Sequence, residues 1–491
     1  MKTYRPYAPE QSYLLPPSPS EWLPDGHLVY FVLGFVDELD IGEIEQHLQA
    51  KDPRGERSYA PRMMTSLLLY GYATGVFSSR RLERATVEDV AFRVLAGGAQ
   101  PHFTTINSFR AAHREALAGL FVQVLHACQS AGLVKLGHVA IDGTKMKANA
   151  SKHKAKSYDR LITDTERLRA EVDGWMARAE AEDAEDDAQY GVYDPQEEIR
   201  LREEKLAKMK AAIEALRKET AAARAARLRE QAVELQAKAQ DETRSPQKRA
   251  AMTTLAKSRA QQAFALDADD EQGPPPPPGP DDDLPLNTPP ATKDGTPQPK
   301  AQRNFTDPES RIMPRDGGFL QAYNGQIAVD DAHQIIVAAA LSNQSPDAEY
   351  FEPMLRRVVD NCGAVPEQVT ADTGYFSAAN VRIAEHMGSE PFIAVGKHRN
   401  DGSQEPAPSQ PNRRSPAQLA MRATLETPRG KATYARRKST VEPVFGQIRT
   451  AGFRQLSFRG LFKNRCEWAF VALAHNLRKL FRAQRALPAT A

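Results

Sequence analysis

The placement of one short apolar run restricts what this chain can become. Lys135–Ile141 (KLGHVAI) is β-branched, ends in Asp142-Gly143 and reads as a buried strand. The next runs of that kind, Gln326–Val329 and Gln334–Ala338, come only after residues 159–271, a stretch rich in Ala, Glu, Lys, Arg and Leu. The first strand must therefore find its partners across a long insertion. The two later runs flank Asp330-Asp331, which reads as a hairpin turn. A helix fits 347–361, a strand Gln368–Ala371 ending at Asp372, a helix 377–387 and a strand Pro391–Val395. Strands that alternate with helices after an antiparallel hairpin predict a mixed sheet covered by helices on both sides, an α/β class.

Ahead of that sheet, residues 26–132 carry a helical pattern. Leu28, Phe31, Val32 and Phe35 share one helix face. Pro61 opens a second helix, where its missing N–H costs nothing, and Met64, Leu67, Leu68 and Tyr72 form that helix's apolar side. Thr104-Thr105 reads as an N-cap for a helix running through Phe109, Leu117, Leu120 and Leu125 to Gly132. An all-helical unit of four or five helices follows, preceded by a loosely held Pro- and Ser-rich arm at 1–25. Within the insertion, Leu206, Met209, Ile213 and Leu216 step by helical spacing, and the break at Asp241–Pro246 allows an antiparallel helical pair. That pair is either an arm touching DNA or a second subunit, or a solvated spacer, and charge runs favour the spacer. Residues 273–300 (GPPPPPGP, DDDLPLNTPP) predict a stiff, largely disordered linker, and 400–418 a polar loop.

Several function classes drop out. Cys128, Cys362 and Cys466 are too scattered for a zinc site or a disulfide framework, which points to a reducing cytosol. There is no long apolar run, so no membrane partner is expected. No phosphate-loop, dinucleotide, zincin or nucleophile-elbow motif occurs. His475 and Arg478 form HxxR, but a tyrosine recombinase needs a later tyrosine and the last one is Tyr434. Charge is polarised. Residues 396–486 hold 19 Lys/Arg against 5 Asp/Glu, which suits a polyanion partner.

What remains is acids at predicted strand ends. Asp142 and Asp372 each follow a strand, a rigid mount at the edge of an open sheet, although either also suits a turn or a cap. Glu442, with Pro443 behind it, starts a helix on which Phe445, Gly446 and Arg449 share its face. Carboxylates brought together can hold two divalent ions about 3.5–4 Å apart for in-line displacement at phosphorus. Arg449 is placed to hold a phosphate, and Tyr434, Arg437 and Lys438 add a basic cluster with an aromatic. Lys145, just past Asp142, and Arg80, Arg81 and Arg84 in the helical unit complete the expected DNA contacts. Asp330 and Asp331 read as hairpin residues.

These blocks, in this order, resemble bacterial insertion-sequence transposases of the DDE class. PRMMTSLLLYGYATGVFSSRRLERATVEDVAFRVLAGG with PHFTTINSFR is similar to their helical N-terminal domain. VAIDGTKMKANAS resembles the block with the first acid (Asp142), VTADTGYFS the second (Asp372) and YARRKSTVEPVFGQIRTAGFRQLSFRGL the third (Glu442). The resemblance implies an RNase H-like catalytic fold at 133–158 and 301–486, the helical insertion at 159–272, the linker at 273–300, and an all-helical N-terminal domain at 26–132. It further implies two Mg2+ (or Mn2+) ions, terminal inverted repeats and target DNA as partners, a homodimer on DNA, and a cytoplasmic, nucleoid-associated place of action. A family signature of Tyr, Arg, Glu and Lys is altered. Tyr434 and Arg437 keep their spacing, Glu442 lies one residue farther from Arg437, and Arg449 stands where Lys is usual. A catalytically inactive DNA-binding relic and a metal-dependent nuclease of the same fold stay open as alternatives.

Overall fold

The computed structural model describes residues 21–50, 57–182, 195–241, 243, 245–267, 283–315, 317–396 and 415–486. Most of the expected N-terminal arm and polar loop therefore lies outside the described residues. Among the described residues, seven helices form the N-terminal part: α1 (Leu28–Glu38), α2 (Gly42–Gln49), α3 (Pro61–Thr74), α4 (Ser79–Glu88), α5 (Val90–Leu95), α6 (Phe103–Ala112) and α7 (Arg114–Ser130). That exceeds the four or five expected, because short polar residues split the apolar runs. The Asp89 carboxylate accepts from the Ala91 and Phe92 amides, ending α4 and starting α5. The expected cap at Thr104-Thr105 is replaced by His102, whose ring accepts from the Thr104 amide, and His113 divides α6 from α7. The α3 helix ends at Gly75 (φ +88°), where a Cβ would lie 2.2 Å from the Ala451 carbonyl oxygen.

The sheet contains β1 (His138–Lys147), β4 (Arg311–Arg315), β5 (Gly318–Asp330), β6 (Ile335–Ser342), β7 (Gln368–Ala371) and β8 (Glu390–Ile393), while β2 (Ala155–Ser157) and β3 (Gln302–Asn304) form a separate two-stranded ribbon. Its order is β4-β5-β1-β7-β8, with β6 also paired to β5. The β1 strand runs antiparallel to β5 and parallel to β7, and β7 runs parallel to β8, so the expected mixed sheet is present. One expectation fails here. The first strand does not stop at Ile141 but continues to Lys147, because β5 supplies partners as far as Ala322.

Helices α11 (Phe351–Cys362), α12 (Ala378–Met387) and α13–α16 (Pro416–Glu426, Pro428–Thr440, Glu442–Thr450, Leu461–Ala486) complete the body. Residues 415–418, expected as loop, instead cap and begin α13 through reciprocal Ser415 and Gln418 bonds. The α16 helix packs against α7, α3 and β6, joining helices and sheet in one apolar core. Its buried Asn476 treats the β6 edge as a neighbouring strand would. The amide Nδ2 donates to the Ile336 carbonyl at 2.8 Å, and Oδ1 accepts from the Ile336 N–H at 2.9 Å. Trp468 fills the space above Gly325, where a Cβ would come within 3.2 Å of the indole, and donates to the Gln326 carbonyl.

The insertion folds as α8 (Tyr158–Glu182), α9 (Pro195–Gln240) and α10 (Pro246–Asp267), with α9 and α10 an antiparallel pair. Leu206, Met209, Ile213 and Leu216 are all buried along α9, as their spacing predicts. Glu219 ties the arm to the body through Arg303 (2.9 Å) and Arg311 (2.5 Å). The expected disordered linker needs correction over its described part, residues 283–300. There Leu284 is buried, Asn287 N–H donates to Asn343 Oδ1, and Gln298 N–H donates to the Pro290 carbonyl. Composition alone hid an apolar anchor, one amide that seats this strap on the residue after β6, and a second that closes the strap on itself.

Asn476→Ala strands two backbone groups in the core and is expected to destabilise the protein by about 2–4 kcal/mol. The check is a lower denaturant midpoint at unchanged slope.

Candidate active site

The two neighbours of β1 have unequal lengths, and this creates the site. On one side β5 pairs the whole strand, whereas on the other β7 stops at Ala371, opposite Ile141. Asp142 and Asp372 are each the next residue, on adjacent parallel strands spaced about 4.8 Å apart. Asp142 therefore lies within β1, not at its end, and faces open space only because β7 has ended. Its Oδ1 accepts from the Gly143 amide at 2.8 Å. Asp372 caps the short turn 373–375, accepting from Gly374 N–H at 2.8 Å.

Glu442 opens α15 with Pro443 in its first turn, and α14 delivers Arg437 from its last turn. The Arg437 guanidinium bridges two of the acids: Nη1 donates to Asp142 Oδ2 at 2.9 Å and Nη2 to Glu442 Oε1 at 3.1 Å. Its Nε is buried without a partner, and its charge lies 5.9 Å from the centre of the Tyr434 ring. Arg449, two turns along α15, is exposed and donates to Thr144 Oγ1 at 2.9 Å, on the Asp142 face of β1. Lys438 is exposed beside this group. Arg80, Arg81 and Arg84 stand apart, exposed on α4, with Arg80 over the Phe103 ring.

Residues 290–477 match the family model for a transposase DDE domain, and residues 17–112 match that for a transposase domain, DUF772. The chain belongs to the DDE-class insertion-sequence transposases. No curated protein and no solved structure matches it. The mixed sheet with its flanking helices is the RNase H-like fold of that class. The matched stretches contain Asp372 and Glu442, while Asp142 falls in the interval that the helical arm interrupts.

Electrostatics in this transposase follow from crowding. Burial pushes Asp142 up to about 6, with Arg437 pulling it down and the Asp372 charge adding to the rise. Asp372 is raised as well, first by burial and then by the Asp347 carboxylate, against the pull of the Gly374 N–H, Arg437 and Lys145. Sequence reading missed Asp347. It accepts from Asn324 Nδ2 (2.7 Å), Gln326 Nε2 (3.0 Å) and Lys145 Nζ (3.2 Å) on the opposite face of β1. Asn324 and Gln326, two buried polar residues alternating on one face of β5, were its signal. Gly143 admits this network, since a Cβ there would lie 2.3 Å from Gln326 Nε2 and 3.1 Å from Asp347 Oδ1. Lys145 was expected to touch DNA. Instead it is mostly buried and bonded to Asp347 and the Ser345 carbonyl. Asp330 is a hairpin residue, its buried carboxylate accepting from the Lys135, Leu136 and Ala332 amides.

The donors around Asp142 are hard carboxylate oxygens, the kind Mg2+ and Mn2+ prefer. Among the described residues no three acids, histidines or cysteines converge as a ready metal cluster. Arg437 instead supplies the cationic charge between Asp142 and Glu442, so the pocket is chemically suited to a cation.

The folded protein holds the Asp142 proton more tightly than the unfolded chain, whose aspartates titrate near 3.9. This group's contribution to stability is full below about pH 4 and is lost as pH rises through about 6. In metal-free protein, the 13C carboxyl resonance of Asp142 should titrate near pH 6. In Arg437→Gln the midpoint should move higher, because a cation that favours the ionised form is gone.

Proposed function

We propose that this transposase cleaves DNA strands at the ends of an insertion sequence and joins them to target DNA. The chemistry is phosphodiester hydrolysis that frees a 3′-hydroxyl, followed by attack of that hydroxyl on the target. The observation that carries this reading is the side-by-side position of Asp142 and Asp372 past the end of β7, with Glu442 linked to Asp142 through one guanidinium. When bound, two divalent ions, Mg2+ or Mn2+, supply the positive charge that in-line displacement calls for at both the attacking and the leaving oxygen.

The chain's own groups divide the remaining work. Asp142, Asp372 and Glu442 provide the carboxylates for the ions. Arg437 shares its single positive charge between Asp142 and Glu442, so the buried Asp142 carboxylate is not left without a cation. Arg449 and Lys438 flank the acids with exposed cations suited to the phosphates of the scissile strand. Tyr434, half-buried against Arg437, orients that guanidinium. Arg80, Arg81 and Arg84 form a separate basic face for the terminal inverted repeats. Pairing two ends requires two subunits, so a homodimer assembles on DNA. No helix among the described residues is long and apolar enough to cross a membrane. Action on chromosomal DNA would place the enzyme in the cytoplasm, on the nucleoid.

A DNA-binding relic without chemistry is the second reading, favoured by the lack of a ready three-acid cluster among the described residues. Strand cleavage with Mg2+ or Mn2+ on a duplex carrying the element's ends separates the two. The wild type should nick it, and Asp142→Asn should lose at least a hundredfold in rate while gel-shift binding to the same duplex persists. A wild type that binds and never nicks supports the relic. Donor ends recovered in a target plasmid distinguish a transposase from a simple nuclease.

A further inference from the structure

The helical arm carries a cleft that the catalytic chemistry does not use. It lies between the middle of α9 and the strap at 288–293, has a volume of about 130 Å3, and is lined by Arg224, Arg227, Lys293, Thr288, Thr292 and short apolar residues. That is the space of about four waters, enough for one phosphate group. No acid lines it. Among the described residues, none of the three cations makes an ion pair, and the Arg224 Nε is buried with no hydrogen-bond partner. Two nearby acids have partners of their own: Glu219, about a turn and a half back on α9, pairs with Arg303 and Arg311, and Asp294, which stays ionised beside Lys293, accepts from the Thr292 and Thr296 hydroxyls.

The cleft is also rigid. The strap turns at Gly295 (φ +88°), which seats so closely that a Cβ would meet Leu266 Cδ2 at 2.9 Å and the Ala221 Cα at 3.5 Å. Thr292 N–H donates to the Thr296 carbonyl across the turn, and Ala291 bridges Pro297. The turn thereby places Lys293 in the same cleft lining as Arg224 and Arg227. Three cations around one hollow, with no acid in its lining, make a place that favours an anion.

The geometry points to a docking site for a backbone phosphate of duplex DNA in this cleft, which makes the arm a DNA-contacting element, not a spacer. This rests on the proposed action of the protein on DNA and adds a second contact region remote in sequence from the acids. Arginine forks and a threonine hydroxyl suit a phosphodiester, and contacts of this kind set position without reading sequence.

The test uses the full-length chain and a short duplex of arbitrary sequence, with affinity followed by fluorescence anisotropy over a range of salt. Joint Arg224→Ala, Arg227→Ala and Lys293→Ala substitution should lower the slope of log affinity against log salt by about 1–2 and weaken binding on the order of tenfold at ~0.1 M salt. Thr288→Trp, which fills the cleft and leaves every charge in place, should also weaken binding. If the triple variant melts like the wild type and keeps its salt slope, the cleft is not a DNA site. If only the charge variant weakens binding and Thr288→Trp is inert, the cations act as a diffuse patch and the cleft assignment fails. A wild type that binds no duplex at all overturns the reading of the protein as acting on DNA, a different failure from the other two.

Discussion

Unequal pairing around β1 is the constraint on which the site depends. A strand paired on both sides has a neighbouring side chain on each flank of every residue it carries. Here the antiparallel partner continues to Lys147 while the parallel partner stops after Ala371, so β1 stays rigid beyond the point where one flank opens. A carboxylate placed there keeps the stiffness of a sheet and the access of a loop. Asp372, one residue past the end of β7, is held instead by its cap on the turn at 373–375. The helices then have one geometrical task, to bring Arg437 and Glu442 over that opening, and the α14–α15 junction does so within six residues.

Arg437 lowers the electrostatic cost of gathering these acids. Partly buried carboxylates in close company repel one another and resist ionisation, as the raised Asp142 and Asp372 show. A single planar guanidinium reaching two of them in parallel relieves that strain with little conformational freedom lost. On the far face of β1, Asp347 with Lys145, Asn324 and Gln326 forms a second polar layer, and Gly143 is the gap through which the layers approach each other.

Much of this was legible in the sequence. The β-branched runs, the hairpin at Asp330-Asp331 and the helical seam of α9 follow from side-chain periodicity, which burial on one face enforces. Asp142 and Asp372 were located because each follows such a run. What periodicity cannot supply is register. Nothing in Asp142-Gly143 says that β5 pairs past it while β7 does not, so the turn reading of that dipeptide was reasonable and wrong. Arg437 looked like one member of a basic cluster, since its bond to Asp142 joins residues far apart in the chain. Lys145 was misread for the same reason, because alternation along β1 sends it to the face opposite Asp142. The strap at 283–300 was masked by its own proline content, although Leu284 and Asn287 carry the groups that anchor it.

The small β2–β3 ribbon has a consequence for how this chain can vary. It pairs Ser157 with Gln302, so the chain leaves the body and returns to it at neighbouring points. For a detour that begins and ends at one doorway, the entropic penalty rises only logarithmically with its length. Segments of very different size can be exchanged beyond that doorway while the sheet keeps its register, which makes the arm the most freely evolvable part of the molecule.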